Sequence, residues 1–204
     1  MRPENRTRRE TEIFKAAYRV LDLSGPEGLT MLSVARAARA SNETLYRWYG
    51  DKAGLFAALV RDNAAQVEAA MTRAATQDAT AREALEGVGA VLFEMVTGPR
   101  AVALNRAAAT DTTGNLGTAL AREGRERISP LLGALIGRLL PHAPLPEATP
   151  LFIDLLLGDT QIRRATGAMP QPPEPGTGTA RARLAVDRLI RLYPPGLERG
   201  APSR

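Results

Sequence analysis

The chain has 204 residues, of which 44% are hydrophobic and 24% are charged, a balance that supports a folded core and excludes a disordered tail. It has no cysteine and one histidine, His142, which excludes disulfides, thiolate metal sites, thiol catalysis and His-rich metal or relay sites. It has no run of about 18 apolar residues and no apolar leader after its charged start, so we expect a cytoplasmic protein without a membrane span.

The formal net charge is +5, and part of it is concentrated at the N-terminus. Residues 1–9 read MRPENRTRR and hold four arginines against one glutamate. Because a local basic cluster indicates nucleic-acid binding better than the overall charge does, we predict a basic arm whose Arg6, Arg8 and Arg9 reach phosphates or the adjacent minor groove. A disordered tail is the alternative, and a coding bias explains most of the excess of arginine over lysine.

Three helices with tight connections are predicted next. Apolar residues recur at helical spacing until residues 24–26 (Ser-Gly-Pro) end the first helix. Thr30 can cap the second helix, and Ser41 can cap the third. After residues 50–51 (Gly-Asp) a longer helix begins, which we expect to run to about Thr76.

The third helix carries polar side chains that a hydrophobic core would exclude. Those that can reach base edges from its exposed face are Asn42, Glu43, Thr44 and Arg47. In the major groove, asparagine pairs with adenine, arginine pairs with guanine, and glutamate accepts from cytosine. Leu45 and Tyr49 should face inward, and Trp48 either lies on the sugar–phosphate backbone or covers the edge of the core. Taken alone, this face also fits a solvated helix surface.

The rest of the chain predicts helices separated by Pro- and Gly-rich segments. The helices are predicted over about residues 85–96, 100–109, 128–140, 151–166 and 181–192. Pro130 predicts a kink or a late start in the third of these. The non-helical segments are a loop over 110–115, a linker over 141–150, a mobile stretch over 169–180 and a frayed tail over 194–204.

Residues 30–59 resemble the helix-turn-helix of the TetR family of transcriptional repressors. The positions that match the family pattern are Thr30, Val34-Ala35, Ala38, Ser41, Thr44-Leu45-Tyr46, Tyr49 and Lys52. Their spacing holds without a gap. The chain departs from the pattern at the corner, where Arg39-Ala40 replaces the Gly-Val that the family favours. Glycine eases a positive φ there, whereas arginine adopts it at a cost of about 1 kcal/mol.

The resemblance implies that Tyr46 and Lys52 contact DNA phosphates. Lys52 also stands just before a helix N-terminus, which favours anions. The residues that we predict to bind the major groove of double-stranded DNA and its backbone are Thr30, Ser41, Asn42, Glu43, Thr44, Tyr46, Arg47, Trp48 and Lys52.

The predicted fold is all-α, with an N-terminal three-helix helix-turn-helix module, a larger C-terminal helical bundle and about nine helices in all. We place the DNA-binding domain and its basic arm at 1–52 and a ligand-binding and dimerisation domain at 53–204. Because one helix-turn-helix reads only a few base pairs, a specific site needs two copies. The predicted helices 151–166 and 181–192 are apolar on more than one face and would pair in a homodimer, unless the monomer core buries them.

The resemblance also implies a small-molecule effector in the body, whose binding shifts the separation of the two reading helices. Candidate lining residues on the middle helices are Phe93, Met95, Val96, Leu104, Asn105 and the stretch 106–111. Each of these also fits a plain core or solvent-exposed position, so no ligand-binding residue is assigned. The apolar content points to a hydrophobic effector.

An enzyme is the first alternative. The sequence has no Gly-rich phosphate loop, no paired His ligands and no Ser-His relay, so we predict no catalytic residue, metal site or cofactor. Asp154 and Asp159 fit helix-surface charges. The second alternative, a purely structural helical bundle, would not need the polar face of the third helix. The sequence therefore predicts a DNA-binding transcription regulator, a repressor that an effector releases from a palindromic operator; an activator is not distinguished.

Overall fold

The computed structural model describes residues 3–76 and 79–195, and within these ranges the chain is all-α, as predicted. The helices are α1 (Pro3–Gly28, broken at Gly25, where the predicted end of the first helix lies and φ is 66°), α2 (Met31–Ala37), α3 (Asn42–Tyr49), α4 (Lys52–Thr76), α5 (Ala81–Thr97), α6 (Pro99–Thr110), α7 (Asn115–Leu120), α8 (Glu126–Leu139), α9 (Leu145–Leu157), α10 (Thr160–Thr166) and α11 (Thr177–Leu192). A π-helical turn, Ala121–Arg125, joins α7 to α8.

The predicted basic arm is the start of α1 rather than a separate arm or a disordered tail. Because α1 begins at Pro3, Arg6, Arg8 and Arg9 lie on its first turns. Proline is favoured at the first helical position, and an acidic residue in the first turn, here Glu4, suits the helix dipole. Residues 1 and 2 of the predicted arm and residues 196–204 of the predicted tail lie outside the described residues.

Two buried clusters divide the molecule, and α4 contributes to both. The N-terminal cluster joins the inner faces of α1, α2 and α3 to residues 55–60 of α4, and side chains such as Leu104 and Leu116 from α6 and α7 complete it. The body cluster joins residues 64–74 of α4 to the inner faces of α5, α8, α9 and α11. α4 is therefore the helix that the two clusters share.

Prolines hid the beginning of α9 from the sequence prediction. The helix begins at Leu145, inside the predicted linker 141–150. Pro146 lies in its first turn, where a missing N–H costs no helical hydrogen bond. The predicted helix 151–166 is likewise wrong as one element. Gly158, with a φ of 52°, separates α9 from α10.

The segment before Pro130 is helical, and the predicted late start at that residue is wrong. α8 begins at Glu126 and follows α7 through the π-helical turn without a break. Residues 116–127 have few large apolar side chains, so their helical periodicity is weak in the sequence. The π-helical turn is the irregular feature here, and such turns are common at functional sites.

The last helix, α11, begins at Thr177 rather than near residue 181. Two glycines bring it close to α5. A Cβ atom on Gly178 would lie 3.0 Å from the backbone oxygen of Ala90, and one on Gly89 would lie 3.1 Å from the Cβ of Ala182. Residues 177–179 (Thr-Gly-Thr), which resemble a linker in the sequence, therefore form the first turn of α11 and pack against α5.

In the described ranges, no single helix combines the length and apolarity that crossing a membrane requires. Only α5 and α6 taken together pass that test, and they are bent by 55° relative to each other. The large apolar side chains of α5, such as Leu85, Leu92 and Phe93, are buried in the body cluster.

Candidate nucleic-acid interface and internal cavity

The corner between α2 and α3 is a Schellman motif. The N–H of Arg39 donates to the carbonyl of Arg36 at 3.1 Å, and the N–H of Ala40 donates to the carbonyl of Ala35 at 2.9 Å. This motif requires a left-handed residue directly after the helix cap, and Arg39 has a φ of 50°. Among the described residues, Arg39 is the only non-glycine with a positive φ. The predicted backbone strain is present at this position, and the fold tolerates it.

Both predicted helix caps are confirmed. Thr30 accepts a hydrogen bond from the N–H of Ser33 at 3.1 Å, and Ser33 Oγ accepts one from the N–H of Thr30 at 3.0 Å, which forms a capping box. Ser41 Oγ accepts from the N–H of Thr44 at 3.1 Å and lies 2.8 Å from the Thr44 hydroxyl. These caps fix where α2 and α3 begin and leave other backbone N–H groups of their first turns free to meet an anion.

The helix α3 presents most of the predicted base-reading side chains to solvent. Asn42, Glu43 and Arg47 are exposed, and Tyr46 is 51% exposed. Thr44 is half-buried and its hydroxyl lies within hydrogen-bonding distance of the cap, so it is less free than the sequence suggested. α3 is therefore a short helix with an accessible polar face, as predicted.

The opposite face of α3 holds it on the N-terminal module. Leu45 is fully buried, and the Tyr49 ring packs against Phe14 with their centroids 6.2 Å apart. Trp48 is half-buried, lies against the N-terminal cluster, and has the Arg6 guanidinium 5.4 Å from its ring centroid. Of the two alternatives for Trp48, the structure places it at the edge of the core. A contact with the DNA backbone remains a prediction for its exposed part.

The start of α4 lies against the end of α3. Lys52 is the first residue of α4 and is half-buried. The sequence prediction missed that Asp51 caps this helix by accepting from the N–H of Gly54 at 2.7 Å. A Cβ at Gly54 would lie 1.9 Å from the carbonyl oxygen of Tyr49, so glycine is required for this close approach. An aspartate directly before the helical run that starts at Lys52 is the signal that could have revealed the cap.

A cavity of about 300 Å³ lies in the body between α4, α5, α6, the π-helical turn and α9. The predicted lining residues that contact it are Met95, Val96, Leu104 and Asn105. Phe93 is instead packed in the core, and Arg106 donates to the carbonyls of Ala165 and Arg164 outside the cavity. The sequence prediction missed the contribution of α4, which supplies Val60, Asn63 and Ala64. Across residues 3–76 and 79–195, no cluster of three metal-ligating side chains occurs.

Residues 13–59 match the family model described as bacterial regulatory proteins, tetR family. The fold is similar to the crystal structure of a TetR transcriptional regulator from Agrobacterium tumefaciens, at 29% identity over 95% of both chains with a TM-score of 0.70. It is also similar to a putative TetR-family regulator from Mesorhizobium loti, at 22% identity over 92% of this chain and 97% of that chain with a TM-score of 0.72. A third similar fold is the FadR regulator from Bacillus subtilis in complex with stearoyl-CoA, at 14% identity over 88% of this chain and 97% of that chain with a TM-score of 0.66. No curated protein matches the sequence.

Proposed function

Because the chain belongs to the TetR family of bacterial transcription regulators, which bind DNA and are not enzymes, we propose that it is a repressor released from a palindromic operator by a small molecule. The observation that carries the proposal is the exposed polar face of α3, held by a capped corner on one side and a buried leucine on the other. A rigid helix with such a face has the size and chemistry to enter the major groove.

The side chains of α3 divide into two proposed roles. Asn42, Glu43 and Arg47 are exposed and carry the groups that pair with adenine, cytosine and guanine edges, with Thr44 beside them. Tyr46, at the exposed side of α3, contacts a phosphate. Lys52 also contacts the DNA backbone. The N-terminal turns of α2 and α3, at Thr30 and Ser41, and the exposed part of Trp48 add further contacts to it.

We assign residues 1–52 to DNA binding and residues 53–204 to ligand binding and dimerisation. The homodimer forms through α9 and α11, which pack side by side in the body. Their outer surfaces leave Leu184 40% exposed and Leu192 50% exposed, and Leu151 and Leu155 are only partly buried. Apolar side chains exposed on adjacent helices support a twofold interface of two helices from each subunit.

The response to a small molecule is proposed to pass through α4. Val60 and Asn63 contact the cavity, while Lys52, at the start of the same helix, adjoins α3. A ligand that favours one position of α4 therefore also favours one separation of the two reading helices. Because the coupling is reciprocal, the effector weakens operator binding to the protein by the same factor by which the operator weakens effector binding.

Selection of bound sequences from a random DNA pool tests the proposed function directly. We expect enrichment of two inverted half-sites whose centres lie about one helical turn, or a multiple of it, apart. Enrichment of single, unsymmetrical sites would contradict the dimeric operator. Recovery of DNA no different from the input pool would contradict sequence-specific binding.

A further inference from the structure

We propose that the cavity binds an uncharged, mostly apolar molecule that carries one hydroxyl group, and that Asn63 accepts the hydrogen bond of this hydroxyl. This inference rests on the proposed function only in taking the cavity as the effector site. It names the chemistry of the effector, which the fold leaves open.

The wall of the cavity is apolar over most of its surface. Its aliphatic side chains come from six helices and the π-helical turn: Val60, Ala64, Leu92, Met95, Val96, Ala101, Leu104, Leu120, Ala121, Ile128, Ile153 and Leu157. Gly117 and Gly124 leave additional space, because neither position carries a side chain. Such a wall favours burial of the apolar body of a ligand, because apolar surface is removed from water.

Asn63 is the polar group inside this wall. The residue is 8% exposed and projects from the middle of α4. Its Nδ2 donates to the sulfur of Met95 at 3.0 Å, and a thioether is a weak acceptor. Its Oδ1 has no hydrogen-bond partner among the residues that the structure describes. An amide oxygen without a protein partner on the wall of a cavity is free to accept, so a ligand hydroxyl that donates to it would satisfy the group.

The other polar side chains on the cavity do not compete for this role. Asn105, whose Nδ2 donates to the carbonyl of Ala101 at 2.8 Å, is only half-buried, whereas Asn63 is 8% exposed. Gln161 lies on the first turn of α10, away from α4, and is half-buried. Asn63 is therefore the side chain that can select a donor in the interior.

The charges around the cavity disfavour an anionic ligand in its interior. Among the described lining residues, Arg125 is the only charged one, and its side chain is 58% exposed and lies 3.9 Å from Asp154. The neighbouring Glu123 is already paired with Arg61 at 3.1 Å and with Arg122 at 3.0 Å. A carboxylate next to Asn63 would lose its hydration without gaining a cation. A neutral hydroxyl avoids that cost.

The size of the cavity limits the ligand to a small molecule. At roughly 30 Å³ for each water, a space of this size corresponds to about ten water molecules. A phenol with a short alkyl chain has a comparable number of non-hydrogen atoms. The matched set 4-propylphenol, 4-propylanisole, propylbenzene and 4-propylbenzoate varies the polar group on one apolar body.

Isothermal titration of the full-length protein with these four compounds tests the inference. We expect 4-propylphenol to bind about tenfold more tightly than 4-propylanisole and propylbenzene, because only the phenol can donate to Asn63. The benzoate should bind more weakly than the phenol. Tightest binding of the benzoate, equal affinities for phenol and anisole, or no binding of any compound would overturn the inference, and none of these outcomes needs a mutant.

Two variants locate the effect. In Asn63→Leu the preference for the phenol over the anisole should disappear while propylbenzene still binds, whereas Asn105→Leu should keep the preference. An unchanged preference in Asn63→Leu would also overturn the inference.

A mobility shift with the selected DNA, without any ligand, separates the ligand proposal from the proposed function. DNA binding without phenol binding contradicts only the ligand class, and phenol binding without DNA binding contradicts only the proposed function.

Discussion

The guanidinium of Arg9, on the second turn of α1, donates a hydrogen bond to the backbone carbonyl of Arg39 at 2.7 Å. The bond joins α1 to the corner that sets the direction of α3. Arg9 also pairs with Glu12 at 2.6 Å, which orients its side chain along α1. The basic start of the chain therefore has a positioning role within the fold, besides any contact with DNA. Because the acceptor is a backbone atom, the bond survives substitution of the Arg39 side chain.

Arg39→Gly should raise the free energy of unfolding. A left-handed conformation costs a non-glycine residue roughly 1–2 kcal/mol, and glycine loses roughly 0.5–1 kcal/mol in extra backbone entropy on folding. We therefore expect a net gain of about 0.5–1 kcal/mol, measured by urea unfolding. Arg39→Ala is the matched control, because it removes the same side chain and keeps the strained φ of 50°. A glycine variant no more stable than the alanine variant would contradict the assigned strain.

Tyr49→Phe should also stabilise the protein. The Tyr49 hydroxyl is buried and has no hydrogen-bond partner within the described residues. Burial is the main reason that the pKa of this phenol is raised, with the Glu10 charge adding to it and the Arg6 charge opposing it. Removing an unsatisfied buried hydroxyl should raise the free energy of unfolding by about 1 kcal/mol.

Tyr18→Phe provides the opposite case in the same module. The Tyr18 hydroxyl donates to the carbonyl of Leu59 at 3.1 Å, so its removal should lower the free energy of unfolding by about 1 kcal/mol. The ring, which lies 4.9 Å from the Arg100 guanidinium, is kept in the variant. Thermal or urea unfolding measures both variants. If both substitutions changed the free energy of unfolding in the same direction, the conclusion that one hydroxyl is unpaired and the other is hydrogen-bonded would be contradicted.

The sequence predicted those parts of the molecule whose signals are local. The residues that form the caps at Thr30 and Ser41 lie within a few positions of the helix ends that they determine. The same is true of the break before α4. The inner face of α3 follows from helical spacing, with Leu45 buried as expected. The left-handed corner at Arg39 followed from comparing one position with a known pattern.

The features that the sequence did not reveal depend on residues far apart in the chain. The hydrogen bond between Arg9 and the carbonyl of Arg39 joins residues 30 positions apart, so no local sequence pattern predicts it. The beginning of α9 was obscured because proline was taken as a breaker, although at Pro146 it belongs to a first helical turn. Asn63 was overlooked because an asparagine in a long helix resembles a surface residue until its surroundings are known.

Acid should remove a contribution that Glu123 makes to stability. Burial raises the pKa of this carboxyl, but the hydrogen bonds and charges of Arg61 and Arg122 outweigh that effect and lower it below its usual 4.5. Because the pKa is lower in the folded than in the unfolded state, the contribution is complete above the unfolded value and is lost as the pH falls through the folded value.

The difference in unfolding free energy between the wild type and Glu123→Gln should therefore shrink as the pH falls from neutrality to about pH 3. Urea unfolding at several pH values measures it. Glu174→Gln, at an exposed loop position, serves as the control for a general effect of removing one negative charge. A difference that stays constant over this range, or grows toward acid, would contradict the proposed pairing.

Leu184→Glu should weaken the proposed homodimer. The side chain is 40% exposed on the outer face of α11, so a carboxylate there costs little in the monomer. Buried between two subunits without a partner, the same charge should raise the dimer dissociation constant by at least about tenfold. Sedimentation velocity at micromolar protein measures the change. Leu23→Glu, at a position 79% exposed on α1, should leave it unaffected, and a wild type that is already monomeric would contradict the interface.

Arg47→Ala and Lys52→Ala should weaken DNA binding in two different ways. Arg47 is exposed on α3, and if it reads a guanine its loss should cost about 1–3 kcal/mol on the selected site and relax the preference at one base position. Lys52 opens α4, and if it contacts a phosphate its loss should weaken all sequences alike and reduce the salt slope by about 1.

Binding titrations at several salt concentrations, on the selected site and on a scrambled site, separate the two effects. Arg138→Ala removes one exposed positive charge from α8, far along the chain from α3, and is the control for the change in net charge. It should change neither the affinity nor the slope. Because base reading and phosphate contact predict different salt slopes, an identical response of the Arg47 and Lys52 variants would rule out the division of roles. No response from either would mean that α3 does not face the DNA.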